Sequence, residues 1–369
     1  MGFEEAGARG TECGSGHADD HSNPFFEPWV LESARRHLLD ENDCFLIIDR
    51  GGEPAVPVVI DRRFPRWCPT IGRIWAHKHC FDTTPVVVGR GKDDLGAFFE
   101  SLAEHGVDML LWRGLPLDTA VAARLRTFLK HARLACETTR QYQRPLLVRD
   151  DSDPERFLDV HIGKRRLKDL RRRRKRLEEL GKVELRTFQE QHDAAQWCRD
   201  FIELEASGWK GASGNGTAIA CSAKERAFFE AMVARGAAKG RIVVHSLTLD
   251  GVPVAMTVNF RSGTWQWAYK TAYCEDVAHL APGVQIEVEG SRAFLSDPGL
   301  THFDACTDSE EGVMARLWPH RRPVADLLIA TRPGVNHAIR TGGLLWRQYR
   351  ALKHATRAKM KPLRALDPA

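Results

Sequence analysis

The chain has 369 residues, more than one ordinary hydrophobic core encloses, so two domains are expected. Hydrophobic residues make up 43%, charged residues 28% and aromatics 8%, a globular balance that excludes a wholly disordered or collagen-like chain. The net charge of +5 averages unlike parts: the segment that begins at Lys164 and ends at Arg176 carries +9, residues 340–369 carry +7, and the remaining 326 residues sum to −11.

The amino-terminal stretch 1–23 is acidic and rich in Gly and His, without the basic start and apolar run of a secretory signal, and is expected to be a disordered leader. Residues 24–39 set Phe25, Phe26, Trp29, Val30, Ala34 and Leu38 near a 3.6-residue period and predict a helix. Apolar runs at 44–48, 55–60 and 85–88, divided by Gly-Gly, Pro and Arg-rich turns, predict strands. A helix at 93–105, a strand at 107–112, a helix at 118–131 and apolar segments at 134–136 and 146–148 complete an α/β unit over 24–150.

The acidic turn sequence at 150–154 marks a boundary. A basic helix follows, with Leu167, Leu170, Leu177 and Leu180 as a narrow apolar stripe and Gly181 as its stop. Next come a strand at 183–188, helices at 194–207 and 223–234, and strands at 241–249, 252–260 and 264–272 joined by Asp250-Gly251 and Ser262-Gly263 turns. A helix at 283–295, a strand at 302–305, a helix at 310–318, a strand at 324–330 and a basic tail helix at 344–360 finish the chain. The expected organisation is a leader (1–23), an N-terminal domain (24–150), a basic linker helix (151–181), a C-terminal domain (182–332) and a basic helical tail (333–369). The order of elements is neither doubly wound nor a sandwich.

No stretch of about 20 apolar residues exists to span a membrane. Nine cysteines, an odd count without a CxxC pair, suit reduced thiols in a cytoplasmic protein. His17 with His21, and His77 with His79 beside Cys80, lack carboxylates at close range, so no metal is expected.

The basic helix leads into Arg176-Leu177-Glu178-x-x-Gly181. Leu204-Glu205-x-x-Gly208-Trp209-Lys210-Gly211 is followed by Gly216-Thr217-Ala218-Ile219, and Tyr269-Lys270-x-Ala272-Tyr273 leads to Ala281-Pro282-Gly283. Trp75-Ala76-His77 and Phe81-Asp82-x-Thr84-Pro85 stand earlier. In these motifs and their order, over most of residues 24–330, the chain resembles the GNAT acyltransferase superfamily, and within it the CelD-like branch related to the FemAB peptidyltransferases.

That resemblance implies an α/β fold with mixed sheets: tandem GNAT-like folds, the N-terminal one degenerate and the C-terminal one with an acyl-CoA site. In such a fold the fourth and fifth strands splay, and the donor lies in the gap with its pyrophosphate on amides at the next helix start. Here those positions are Leu280, Ala281, Gly283 and Val284, where free amides and the helix dipole suit an anion. The common Gln/Arg-x-x-Gly-x-Gly sequence is absent, and a Pro-Gly at a helix start also serves capping alone. FemAB relatives use aminoacyl-tRNA in place of CoA.

Glu205, one turn from a helix end, either takes a proton from an amine acceptor or pairs with Lys210. Lys210 holds a substrate phosphate or carboxylate, or is simply exposed, with Trp209 beside it. Tyr269 and Lys270 are adjacent on a strand and are expected on opposite faces; Trp265, Trp267 and Tyr269 form a core stripe or an acceptor groove. Asp304 is a candidate base or orienting group, and the resemblance makes Tyr273 the acid that reprotonates a leaving thiolate.

The leading expectation is a cytoplasmic acyltransferase without metal that moves an acyl group from acyl-CoA, such as acetyl-CoA, to an amine or hydroxyl. The acceptor would be an envelope, polysaccharide or lipid precursor, either a small molecule or a glycolipid. The alternatives are a FemAB-type aminoacyl-tRNA-dependent transferase and a non-catalytic module that binds anions or a membrane surface. The segment from Lys164 to Arg176 is either a solvated face or a clamp for an anionic partner; it lacks the aromatics that stack single-stranded bases.

Overall fold

The computed structural model describes residues 23–40, 44–48, 56–61, 69–84, 94–150, 152–188, 193–308 and 312–342. Residues 1–22 of the expected leader, the expected strand at 85–88 and the tail helix at 344–360 lie outside them.

A single 3-10 turn, in which the Asn23 side chain accepts from Phe25 N–H at 3.0 Å, leads into α1 (Pro28–Leu38). The period predicted from sequence is what this segment buries: Phe25, Trp29, Val30 and Ala34 are all nearly inaccessible. β1 (Cys44–Ile48), β2 (Val56–Asp61) and β3 (Ile71–Ile74) form an antiparallel meander, and α2 (Asp94–Glu104) carries the chain to β4 (Met109–Pro116), parallel to β3. α3 (Ala120–Ala132) is capped by the Thr119 hydroxyl, which accepts from Ala122 N–H at 3.2 Å. β5 (Cys136–Val148) is one continuous strand where two separate apolar segments are expected; its polar middle hides the link.

In the second half, α4 (Pro154–Leu158) and a π turn precede α5 (Lys164–Glu178), whose Leu167, Leu170 and Leu177 are buried. Leu180 is not part of that stripe: it lies beyond the helix end and is 57% exposed. Nor does Gly181 stop the helix by a left-handed turn. Its missing side chain instead admits Asp250, whose carboxylate accepts from Lys182 N–H at 2.8 Å and would stand 2.2 Å from a Cβ at this position.

β6 (Val183–Phe188), α6 (Ala194–Ser207), α7 (Ala223–Ala238), β7 (Ile242–Leu249), β8 (Val252–Ser262) and β9 (Trp265–Tyr273) follow close to the expected bounds. The β7–β8 turn places Asp250 and Gly251 at φ 50° and 83°, the twist that suits a tight hairpin. α8 (Pro282–Ser296), β10 (His302–Asp304), α9 (Val313–Leu317) and β11 (His320–Ala330) complete the described elements.

Eleven strands of the described residues form one mixed sheet in the order β1-β2-β3-β4-β11-β5-β10-β9-β8-β7-β6. Its centre is the antiparallel β5–β11 pair, running from His320 opposite Leu146 to Ile329 opposite Cys136. Outward from that pair the pattern is the same on both sides: an antiparallel neighbour (β4 or β10), a parallel pair (β3–β4 or β9–β10), then an antiparallel meander. The two halves are therefore two copies of one topology that have exchanged a strand. β5 pairs with β10 of the second half and β11 with β4 of the first, so the sheet is continuous across residue 150.

The largest core is shared in the same way. Trp29 of α1 packs edge-on against Phe260 of β8 at 5.1 Å, beside Phe228 and Phe229 of α7. Each such burial contributes about 1.5–3 kcal/mol, so much of the stabilisation lies between the halves. At the sheet's centre, fully buried Asp304 stands between Arg322 Nη1 at 3.0 Å and Arg144 Nη1 at 3.4 Å, tying β10 to both exchanged strands. No helix among the described residues is long and apolar enough to cross a membrane.

Candidate active site

β9 and β10 pair only from Trp265 opposite His302 to Trp267 opposite Asp304. β9 then continues to Tyr273 while β10 ends, and a cavity of about 680 Å³ opens between Ala268–Tyr273 on one side and Ala305–Thr307 on the other. The start of α8 forms a third wall. Ala281 takes a left-handed conformation (φ 55°) to turn the chain into this helix, and no side chain caps the first turn. Pro282 has no N–H, Ala281 N–H donates to the Ala278 carbonyl and Val284 N–H to the Ala281 carbonyl, so the Gly283 amide and the helix dipole are what the first turn offers to an opening lined by Ala281, Pro282 and Gly283. Gly283 is needed for the packing as well: a Cβ there would lie 2.9 Å from the Tyr273 ring.

The predicted residues Glu205, Trp209, Lys210, Tyr269, Lys270, Tyr273, Ala281, Gly283 and Val284 all line this cavity. Leu280 does not; it is buried beneath the α8 turn beside Ile286. Asp304 does not either, which corrects its reading as a base open to the gap: it is enclosed by the two arginines and also accepts from Cys306 N–H at 2.7 Å.

The opposite-face expectation for Tyr269 and Lys270 is corrected too. The β8–β9 register shifts so that Val258 faces Lys270 and Asn259 faces Ala268, leaving Tyr269 as the extra residue of a bulge. Both side chains consequently turn toward α6 and α7. Tyr269 stacks on Phe229 and Phe260, and Lys270 reaches Glu205.

Glu205 organises this wall. Its Oε1 accepts from Lys270 Nζ at 3.0 Å and Lys210 Nζ at 3.3 Å, and its Oε2 accepts from Ile219 N–H at 2.8 Å. Burial pushes the carboxyl pKa up, but Lys270, the Ile219 amide and Lys210 outweigh it and hold the group below the usual range. Glu205 is thus an ionised, fully engaged carboxylate that fixes two ammonium groups, and the trio carries net positive charge. Burial lowers the Lys270 pKa despite its partner.

One residue of the cavity escaped the sequence reading. Glu287, on the first turns of α8, is 6% exposed, lines the cavity and accepts a hydrogen bond from the Thr271 hydroxyl. Burial raises its pKa to about 7, the range in which a carboxylate exchanges protons near neutrality. The available signal was an acidic residue between Ile286 and Val288 on a helix beside the suspected phosphate turn.

Outside the cavity, Arg173 of α5 donates to the His279 carbonyl at 2.6 Å and sets the basic helix beside the turn before α8. Three of the ten basic residues from Lys164 to Arg176 are paired within the helix, Arg172 and Arg173 with Asp169 and Arg174 with Glu178. His77 and His79 pack on Phe228, and no group of three or more His, Cys, Asp and Glu among the described residues suits a metal ion. Cys80, Cys136, Cys198, Cys221, Cys274 and Cys306 are free thiols.

A family model described as "Acetyltransferase (GNAT) domain" matches residues 164–312, a span that contains α5 and the whole cavity wall from Glu205 to Thr307. No curated protein matches the chain in sequence. Among solved structures, FemX is similar over 84% of this chain and 93% of its own, with 11% identity and a TM-score of 0.53. A conserved protein of unknown function from Bacteroides thetaiotaomicron VPI-5482 is similar over 85% and 93%, with 14% identity and a TM-score of 0.52. At these identities the likeness is one of fold, and both structures span the two halves.

Proposed function

We propose that the chain, whose residues 164–312 match a GNAT acetyltransferase domain model and whose fold is similar to that of FemX, is an acyltransferase that moves an acyl group from acyl-CoA to an amine or hydroxyl. The observation that carries this reading is the gap between β9 and β10, which opens onto the uncapped start of α8 and contains a buried carboxyl with a pKa of about 7.

A thioester donor would lie with its pyrophosphate at the Gly283 amide and the positive end of the α8 dipole, and its acyl group toward Lys270. Glu287 takes the proton from the attacking acceptor. The nitrogen or oxygen bonds to the acyl carbon, the carbon–sulfur bond breaks, and the sulfur takes a proton from Tyr273, which solvent replaces. The excess positive charge of Lys210 and Lys270 over Glu205 favours the oxygen that becomes negative on the way. Glu205 acts by positioning, because its lone pairs are already engaged. The acceptor class, a precursor of envelope, polysaccharide or lipid, follows from the resemblance to the CelD-like branch, and the cytoplasmic setting from the odd, unpaired cysteine count.

Isothermal titration with acetyl-CoA and longer acyl-CoAs tests the donor. Binding that Gly283→Ala weakens at least about tenfold supports the reading; a folded protein that binds none at millimolar concentration ends it. The basic face of α5 beside the cavity mouth favours a second reading, a donor carried on tRNA. A gel shift with tRNA that disappears when Arg171, Arg172 and Arg174 are changed to Ala supports that donor, and a shift that survives the change counts against it.

A further inference from the structure

β6 closes one end of the sheet, and among the described residues it pairs with β7 alone. A bare row of N–H and C=O groups recruits another strand, so natural edges are bulged, broken by proline, covered or charged. β6 runs six residues, Val183–Phe188, without a proline or a shift in its register with β7. Leu185, Arg186 and Thr187 are exposed, so nothing among the described residues covers the strand. Leu185 is one of few large apolar side chains left open, at 42% exposure. Charge is the remaining device, and its arrangement on β6 matches a second copy of the same strand.

Two flanking hydrogen bonds decide which backbone groups of β6 point outward. Asp250 N–H donates to the Lys182 carbonyl at 2.8 Å, and Arg261 N–H donates to the Arg241 carbonyl at 2.7 Å. Opposed residues of an antiparallel ladder alternate between bonded and non-bonded pairs. Counting from Arg241, the β7–β8 register turns Val243, His245 and Leu247 toward β8 and leaves Val244, Ser246 and Thr248 for β6. Counting from Lys182, the β6–β7 register gives the same phase, with Glu184, Arg186 and Phe188 bonded to β7. The N–H and C=O groups of Val183, Leu185 and Thr187 therefore face away from the sheet.

We propose that this edge pairs with the same edge of a second copy of the chain, antiparallel about a two-fold axis at Leu185. In that register Leu185 exchanges both bonds with Leu185 of the second copy, and Val183 does so with Thr187, so the whole outward row is satisfied. The non-bonded pairs, whose Cα atoms lie closest, set Glu184 against Arg186 twice. Moving the axis by one residue sets Glu184 against Glu184, or Arg186 against Arg186, and like charges directly opposite repel. Charge thus selects one register. Within its own chain Glu184 already pairs with Arg186 at 2.9 Å and Lys182 at 2.7 Å, so the contact shares these charges without stranding one. The axis stands perpendicular to the sheet, so both copies of α5, which packs through Leu177 beside Leu247, lie on the same face of the joined sheet. None of this depends on the transferase reading.

Sedimentation velocity of the full chain from about 1 to 200 µM tests the pairing. So short an edge buries less than the roughly 1,200 Å² of a stable complex, and a reversible dimer with a micromolar dissociation constant is expected. Arg186→Glu sets acid against acid at both non-bonded pairs, and Glu184→Arg sets base against base. Each variant alone should dimerise at least about tenfold more weakly. Mixed together they should form a heterodimer, because every cross-strand pair is then opposite in sign. Leu185→Pro removes an N–H that faces away from β7, so it should leave the melting temperature nearly unchanged while weakening the dimer. A chain that stays monomeric over the whole range, a dimer that survives Leu185→Pro, or single variants that do not recover on mixing overturns the proposal. Species that grow beyond a dimer overturn it as well, since a two-fold pairing uses up the edge.

Discussion

Lys270 Nζ on β9 donates to Glu205 Oε1 on α6 across 3.0 Å, a bond made possible by the bulge at Tyr269, which turns two successive side chains to the same face. Glu205→Gln would leave Lys210 and Lys270 facing each other without a carboxylate. Removing one partner of such a buried group costs about 3 kcal/mol. Urea unfolding should show a loss of that size, and Glu205→Gln combined with Lys270→Met should recover part of it. Additive losses in the double variant would show that the two groups do not act as a pair.

Glu287 should give an activity that rises with pH. Its pKa is about 7 in the fold against 4.5 as the ordinary value, so the proton-accepting form appears only as pH passes through 7. Stability follows the opposite course. The folded chain holds this proton more tightly than the unfolded one, so stability falls between about pH 4.5 and 7 and is level above. Glu287→Gln should therefore abolish the rise in thiol release with pH while stabilising the fold by up to ~3 kcal/mol at pH 8. A variant with the wild-type pH profile would remove Glu287 from the reaction.

Gly283→Ala places a methyl group 2.9 Å from the Tyr273 ring. Relieving that overlap costs about 1–3 kcal/mol and moves either the ring or the helix start. The expected readout is a dissociation constant for acetyl-CoA raised at least about tenfold, measured beside thermal unfolding to show that the chain remains folded. An unchanged constant would place the pyrophosphate elsewhere.

Asp304→Asn separates a keystone from a base. The substitution leaves the buried Arg144 and Arg322 guanidinium groups without their shared carboxylate, at a cost of about 3–5 kcal/mol. Because the three residues join β10 to β5 and β11, both halves should lose stability together in one transition. Wild-type stability with lost activity would return Asp304 to the list of proton acceptors.

Where the determinants were local, they were legible. The Asp250-Gly251 turn fixes the β7–β8 hairpin, and the apolar period of α1 marks the face that helix buries. The four-residue strand Ile71–Ile74 is too short to show a period, and β5 reads as two fragments because Arg144 in its middle finds its counter-charge on β10. The exchange of β5 and β11 is a pairing across about 180 residues that no window contains. In the site, the Glu205–Lys210 pairing was weighed from neighbouring positions, whereas the bulge that brings Lys270 to it is a property of two strands. Glu287 was passed over because its pKa comes from its surroundings.

The central strand pair also limits how the protein can be divided. A fragment of residues 151–369 would hold β10, three residues long, with one edge bare, and β11 without either of its neighbours. Bare strand edges recruit other chains, so this piece alone should aggregate despite containing the whole family-matched span. Supplied together as separate chains, 1–150 and 151–369 should complement each other by mutual strand donation and co-purify as a folded heterodimer. Each piece would be the template on which the other completes its sheet.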